Sequence, residues 1–205
     1  MGTLKGKVIL VTGAGKGSGR AMAETLASQG AIVAANDITP VNLDETVQRI
    51  TAAGGTVRAY VEDVAKKLPI QTLVNLVLDE LGRLDGLVCC AEVEPVSALL
   101  EMDDWDWQRT LDVNLTGTFL LVQTAGRVMR AQGGGMIAVL GARPRGEQSR
   151  GAYQTSKAAL AEFTRQAARE LSADAIKIAY IDAQQTADPV TAVLSFLGGQ
   201  DEQSD

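Results

Sequence analysis

Thr12-Gly13-Ala14-Gly15-Lys16-Gly17-Ser18-Gly19 is the stretch on which the reading of this chain turns. An apolar run, Val8-Ile9-Leu10-Val11, precedes it, and a helical pattern with Ala21, Met22, Leu26 and Ala27 on one face follows. Strand, glycine turn and helix in that order is the setting a dinucleotide phosphate requires. Glycines let the backbone turn tightly and approach a pyrophosphate closely. The helix beyond them offers free N–H groups and the positive end of its dipole. The spacing is Gly13-x-x-x-Gly17-x-Gly19 and not a strict G-x-G-x-x-G, so the turn alone leaves a structural strand–helix connection as the alternative.

The rest of the chain repeats the alternation. Short apolar runs are expected as strands at Lys7–Val11, Ile32–Asn36, Val57–Val61, Gly86–Cys90, Met136–Leu140 and Ile176–Ile181. Helical patterns are expected at Gly17–Gln29, Val41–Ala53, Pro69–Leu81, Trp105–Ala131, Ala152–Leu171 and Pro189–Leu197. Strands alternating with helices argue for a parallel sheet covered on both faces, a doubly wound α/β fold. With no repeat, low-complexity tract or linker in view, residues 1–205 are expected to form one domain, with 198–205 a polar, frayed tail.

Composition narrows the function classes. Acidic residues outnumber basic ones, 25 to 19, for a net charge of −6 without a basic cluster, which argues against nucleic acid and anionic membrane as partners. Residues 1–7 lack the apolar core of a signal peptide, and no apolar stretch approaches the roughly 18 residues that span a bilayer. Cys89 and Cys90 are adjacent and suit neither a disulfide framework nor a zinc site, so a reducing, cytoplasmic setting is expected. Histidine is absent, which excludes Ser-His-Asp and Cys-His triads and leaves proton chemistry to carboxylates, tyrosine, lysine or a cofactor; no metal site is expected.

Two further features bear on chemistry. Asp37 stands 18 residues after Gly19, at the tip of the second strand. A carboxylate there can accept hydrogen bonds from an adenosine ribose and repel a 2′-phosphate, favouring NAD over NADP, whereas Lys16 could reach such a phosphate. Tyr153 and Lys157 lie at i and i+4 on one helix face. An ammonium beside a phenol lowers its pKa from about 10, which prepares the pair to exchange a proton with a hydroxyl or carbonyl.

Taken together, the glycine loop, Asp37 and Tyr153-x-x-x-Lys157 resemble the short-chain dehydrogenase/reductase family. Gly6-Lys7-Val8-Ile9-Leu10-Val11-Thr12-Gly13 resembles its opening, Asp63-Val64 its adenine-flanking pair, and Asp112-Val113-Asn114-Leu115-Thr116-Gly117 the stretch with its catalytic asparagine. Ser156-Lys157-Ala158-Ala159-Leu160 resembles the start of its active-site helix. The resemblance implies a Rossmann-like three-layer sandwich, strands ordered 3-2-1-4-5-6, with the nicotinamide at their carboxyl ends. It implies that Tyr153 exchanges the substrate's proton, that Lys157 lowers the tyrosine pKa and holds the nicotinamide ribose, and that Asn114 anchors a relay water. Gly13, Gly15, Lys16, Gly17, Ser18, Gly19, Asp37, Asp63, Val64 and Ala91 would hold NAD, or NADP, together with Tyr153 and Lys157. It also implies a homo-oligomer built on the helices carrying Leu115, Phe119, Val122 and Val128 and Ala158, Ala161, Phe163 and Ala168.

The chain departs from the family pattern around that site. Ala138-Val139-Leu140-Gly141-Ala142 holds no hydroxyl where the family has a serine that donates to the reacting oxygen, and Ser149 is the nearest substitute. Loss of such a donor costs about 10²–10³ in rate. Cys89-Cys90-Ala91-Glu92 replaces Asn-Asn-Ala-Gly, so Glu92 brings bulk and charge toward the dinucleotide unless it turns outward into solvent. Asp182-Ala183-Gln184-Gln185 replaces a Pro-Gly, and the substrate lid and seventh strand are expected to be missing. Three functions follow: an NAD(P)-dependent oxidoreductase of an alcohol or carbonyl, a catalytically impaired NAD-binding subunit that stabilises or regulates a related active partner, or a scaffold without nucleotide.

Overall fold

The computed structural model describes residues 4–141, 149–182, 186 and 188–199. Among them six strands form one sheet: β1 (Val8–Thr12), β2 (Ile32–Asp37), β3 (Thr56–Val61), β4 (Gly86–Cys89), β5 (Gly135–Leu140) and β6 (Ile176–Ile181). The order is β3-β2-β1-β4-β5-β6 and every pairing is parallel, as the sequence resemblance implies. The helices are α1 (Gly17–Ser28), α2 (Pro40–Ala52), α3 (Lys67–Leu81), α4 (Asp104–Leu111), α5 (Thr118–Gln132), α6 (Gly151–Leu171) and α7 (Pro189–Leu197).

Side chains alternate across each strand, so the sheet builds two cores. Val8, Leu10, Leu87 and Ile137 face α3, α5 and α6, where Leu73, Leu121 and Leu160 meet them. Ile9, Val11, Val33, Val88 and Ala138 face α1, α2 and α7, packing with Met22, Leu26, Leu43 and Val193. Every residue of β1 is buried, which explains its unbroken apolar run. The chain winds outward from β1 in both directions, to β2 and β3 and to β4, β5 and β6. That reversal opens a crevice at the carboxyl ends of the strands.

The expected element bounds shift in small, explicable ways. α3 begins at Lys67, two residues before Pro69, because the first turn of a helix has no intrahelical use for the amide that proline lacks. Pro40 opens α2 for the same reason. The long helix expected over 105–131 runs from Asp104 to Gln132, but Asp112–Gly117 forms a wider π turn within it. Of the expected tail at 198–205, residues 200–205 lie outside the described residues, and β6 has no further strand beside it among those described. No described helix is long and apolar enough to cross a membrane.

Asp85 fastens β1 to β4 at the end opposite the crevice. Its carboxylate accepts from the Val8 amide at 2.9 Å, from Arg83 Nε at 2.8 Å and from Lys7 Nζ at 3.3 Å. Burial pushes this carboxyl up, but the Arg83 guanidinium, the Val8 amide and the charge of Lys7 outweigh it and hold the group below the usual carboxylate range. A depressed pKa stabilises the folded state above the unfolded value and ceases to do so as pH falls through the folded one. Asp85→Ala should therefore lower stability by about 1–3 kcal/mol at neutral pH. In urea melts, the gap from wild type should narrow as the pH drops below about 4.

Candidate functional site

The turn from β1 into α1 is set by what cannot fit in it. A Cβ on Gly19 would lie 2.1 Å from the Gly13 carbonyl oxygen, and one on Gly13 (φ +66°) would lie 2.7 Å from the Ala91 Cα. The turn therefore stacks on its own backbone and on the chain leaving β4. Thr12 completes that contact, its hydroxyl accepting from the Cys90 and Ala91 amides at 3.2 and 3.3 Å. No side chain caps α1, and its first turn holds no acidic residue. Its leading amides are thus presented to an anion.

Neighbouring groups brace the turn from behind. Arg20 Nε donates to the Gly15 carbonyl and to the Thr46 hydroxyl, each at 3.0 Å, while its Nη2 pairs with Glu45 at 2.9 Å. The Thr46 hydroxyl donates to the Ala14 carbonyl at 2.8 Å. Asp37 closes the other side, accepting from the Gly15 amide at 2.9 Å and from the Thr39 amide at 2.9 Å. Asp63 accepts from the Ala65 amide at 3.0 Å and faces Arg109 Nη1 at 3.6 Å.

Beyond these groups runs a groove of about 490 Å³ at the carboxyl ends of β1 to β5. Of the expected cofactor residues, Gly13, Lys16, Gly17, Ser18, Gly19, Asp37, Asp63, Val64 and Ala91 line it. Gly15 lies behind, bonded to Asp37. The π turn brings the long helix against this groove, because a Cβ on Gly117 would come within 2.4 Å of the Val64 carbonyl oxygen.

At the far end stand Tyr153, Lys157 and Asn114, none of them lining the groove. Tyr153 is fully buried, with Lys157 Nζ 5.5 Å from its ring centroid. Lys157 Nζ donates to the Leu140 carbonyl at 3.0 Å and pairs with Glu92 Oε2 at 2.8 Å. The Tyr153 hydroxyl donates to the same Glu92 oxygen at 3.2 Å. Glu92 thus turns inward, its side chain 11% exposed, correcting the expectation of a solvated loop carboxylate. The physical reason is the ammonium: a buried cation requires a counter-charge.

The neighbours of Glu92 are fastened too. Asn114 Oδ1 accepts from the Val93 amide at 2.8 Å, and its Nδ2 donates to the Val93 carbonyl and the Ser156 hydroxyl, each at 3.0 Å. Glu94 forms a close ion pair with Arg150, whose guanidinium sits 4.6 Å above the Tyr153 ring. The side chain of Asn114 therefore clamps the 92–94 strap, and its carbonyl accepts from the Thr118 hydroxyl at 2.9 Å. The sequence signal for this strap is two carboxylates around Val93 and two cations, Arg150 and Lys157, on either side of Tyr153.

Other expectations resolve more simply. Burial pushes the Cys89 thiol up to about 12, so it remains protonated within the core. Ser149 takes φ +60° and its carbonyl accepts from the Ser97 amide at 2.8 Å. Ala142 and residues 183–185 lie outside the described residues.

Comparison with known proteins agrees with this geometry. The short chain dehydrogenase profile matches residues 7–194. A short-chain reductase protein, NovJ, of Streptomyces niveus is 38% identical over 198 residues, covering 96% of this chain and 76% of the relative. The chain spans about two thirds to three quarters of the length of such curated relatives. A metagenomic short-chain oxidoreductase solved in complex with NADP superposes with a TM-score of 0.88 at 29% identity, covering 98% of this chain and 95% of that one. An NAD+-bound xylitol dehydrogenase gives a TM-score of 0.83 at 30% identity, covering 87% and 70% respectively.

The crowding at the turn yields a paired test. Gly19→Ala must displace the Gly13 carbonyl and should cost about 1–3 kcal/mol in a denaturant melt. Gly151→Ala, where nothing lies within 4 Å of the new methyl, should leave the melt unchanged or slightly raised.

Proposed function

The chain belongs to the short-chain dehydrogenase/reductase family, and we propose that it is an NAD(P)-dependent oxidoreductase acting between an alcohol and a carbonyl. The observation that carries this is one continuous arrangement: an open groove beginning at the amino end of α1 and ending at Glu92, whose carboxylate meets Tyr153 and Lys157 behind the wall. The residues present fit a dinucleotide over the adenosine diphosphate half, where α1 begins without a side-chain cap and Gly13, Gly17, Ser18 and Gly19 line the groove. The Gly17, Ser18 and Gly19 amides would hold the diphosphate, Asp37 the adenosine ribose, and Asp63, Val64 and Ala91 the flanks of the adenine and the chain beyond it. Asp37 favours NAD, since its carboxylate repels a 2′-phosphate, while Lys16 at the groove's rim leaves NADP open.

A bound nicotinamide supplies the hydride acceptor or donor. The chain supplies the proton chemistry. Tyr153 Oη exchanges a proton with the substrate oxygen. Lys157 places its charge beside that hydroxyl and holds the neighbouring ribose. Asn114 fixes the backbone at Val93, and with it the wall facing the substrate. Small alcohols and ketones are the expected substrates, in a cytoplasmic homo-oligomer. Phe119, 41% exposed and edge-on to Phe163 at 6.0 Å between ring centroids, would lie in its contact surface.

A second reading has one observation in its favour. Glu92 occupies both working atoms of the catalytic pair. A chain that kept this arrangement with nucleotide bound would be an impaired NAD-binding subunit serving a related active partner.

NADH oxidation against a panel of ketones, run in parallel with Tyr153→Phe, tests the proposal. The expected result is turnover that falls by about 10²–10⁴-fold in the variant. Undiminished turnover in Tyr153→Phe would contradict the acid–base role. Nucleotide binding without any turnover would favour the impaired subunit.

A further inference from the structure

Glu92 has a position that the family pattern does not account for. A single carboxylate oxygen, Oε2, lies 2.8 Å from Lys157 Nζ and 3.2 Å from the Tyr153 hydroxyl. These are the two atoms that the proposed reaction must present, one to a ribose hydroxyl and the other to the substrate oxygen. The contact is well sheltered, with the Glu92 side chain 11% exposed and that of Lys157 5% exposed. It is also anchored on one side, because Asn114 holds both backbone polar groups of Val93 and Arg150 holds Glu94.

Removing a carboxylate from a buried ammonium is costly unless another acceptor takes its place. Glu92 therefore stays on Lys157 until an incoming oxygen replaces it. It has somewhere to go, since Glu92 and Val93 themselves form part of the wall of the open groove.

We propose that Glu92 is an internal competitor for the catalytic pair: its carboxylate and the ribose–nicotinamide half of a bound dinucleotide exclude one another. The adenosine diphosphate half binds without reference to Glu92. The other half binds only in the fraction of molecules whose Glu92 has swung away, and the apparent affinity for the whole dinucleotide is reduced by that fraction. This latch rests on the NAD(P) reading above and adds a self-imposed control to it.

Calorimetric titration of the full chain, of Glu92→Gln and of Glu92→Ala, each with ADP and with NAD, separates the two claims. Glu92→Gln keeps the side-chain shape while removing the charge, and unchanged ADP binding shows that each variant is folded. ADP affinity should agree within about twofold among the three proteins, while NAD should bind about tenfold or more tightly to both variants, as expected if Glu92 is in place at least nine-tenths of the time. NAD affinity that is unchanged or weakened, in variants that bind ADP normally, would overturn the latch and leave the nucleotide site standing. Failure of ADP and NAD to bind any of the three would overturn the nucleotide reading, and the latch with it.

Discussion

No side chain can occupy the space between Gly13 and the first turn of α1, and the site is built around that exclusion. With a methyl on Gly19 only 2.1 Å from the Gly13 carbonyl oxygen, the turn from β1 into α1 can close at that point only as bare backbone. Bare backbone is what an anion at a helix amino end requires, because the amides then face outward with nothing over them. The same tightness lets Ala91 close against Gly13, which fixes where the chain leaves β4 and so where Glu92 begins. One steric constraint thus positions both ends of the groove.

The two ends are governed by different physics. The end at the glycine turn is a matter of shape and backbone dipoles, braced by Arg20, Thr46 and Asp37 through hydrogen bonds to the loop. The far end is electrostatic, with Lys157 on α6 and Arg150 just before it paired to two carboxylates of one strap. Because the ion pairs are buried, their strength depends on remaining dry and fully partnered. A ligand that enters there meets opposition from the protein's own charges, whereas one confined to the glycine turn does not.

Much of the fold was legible in the sequence because it depends on local periodicity. The apolar run of β1, the period of α1 and the glycines between them are read within two dozen residues. The sheet order followed from resemblance, since nothing in a strand's own residues names its neighbour. The placement of Lys16 and Asp37 along one groove was likewise foreseeable from the glycine loop and a strand end, while that of Asp63 and Ala91 followed from resemblance. The inward turn of Glu92 was not, because its partner Tyr153 lies 61 residues away and only the folded approach of α6 brings them together. The π turn at Asp112–Gly117 was equally hidden: it arises where Gly117 meets the Val64 carbonyl, a contact without any local signature.

The central claim is that a dinucleotide's phosphates settle on the amino end of α1, and backbone amide resonances report on it residue by residue. In a ¹⁵N-labelled sample titrated with NAD, the account predicts saturable shifts concentrated at Gly13, Gly15, Gly17, Ser18, Gly19 and Asp37. Resonances that stay in place at millimolar NAD, or shifts confined to another part of the molecule, would contradict it.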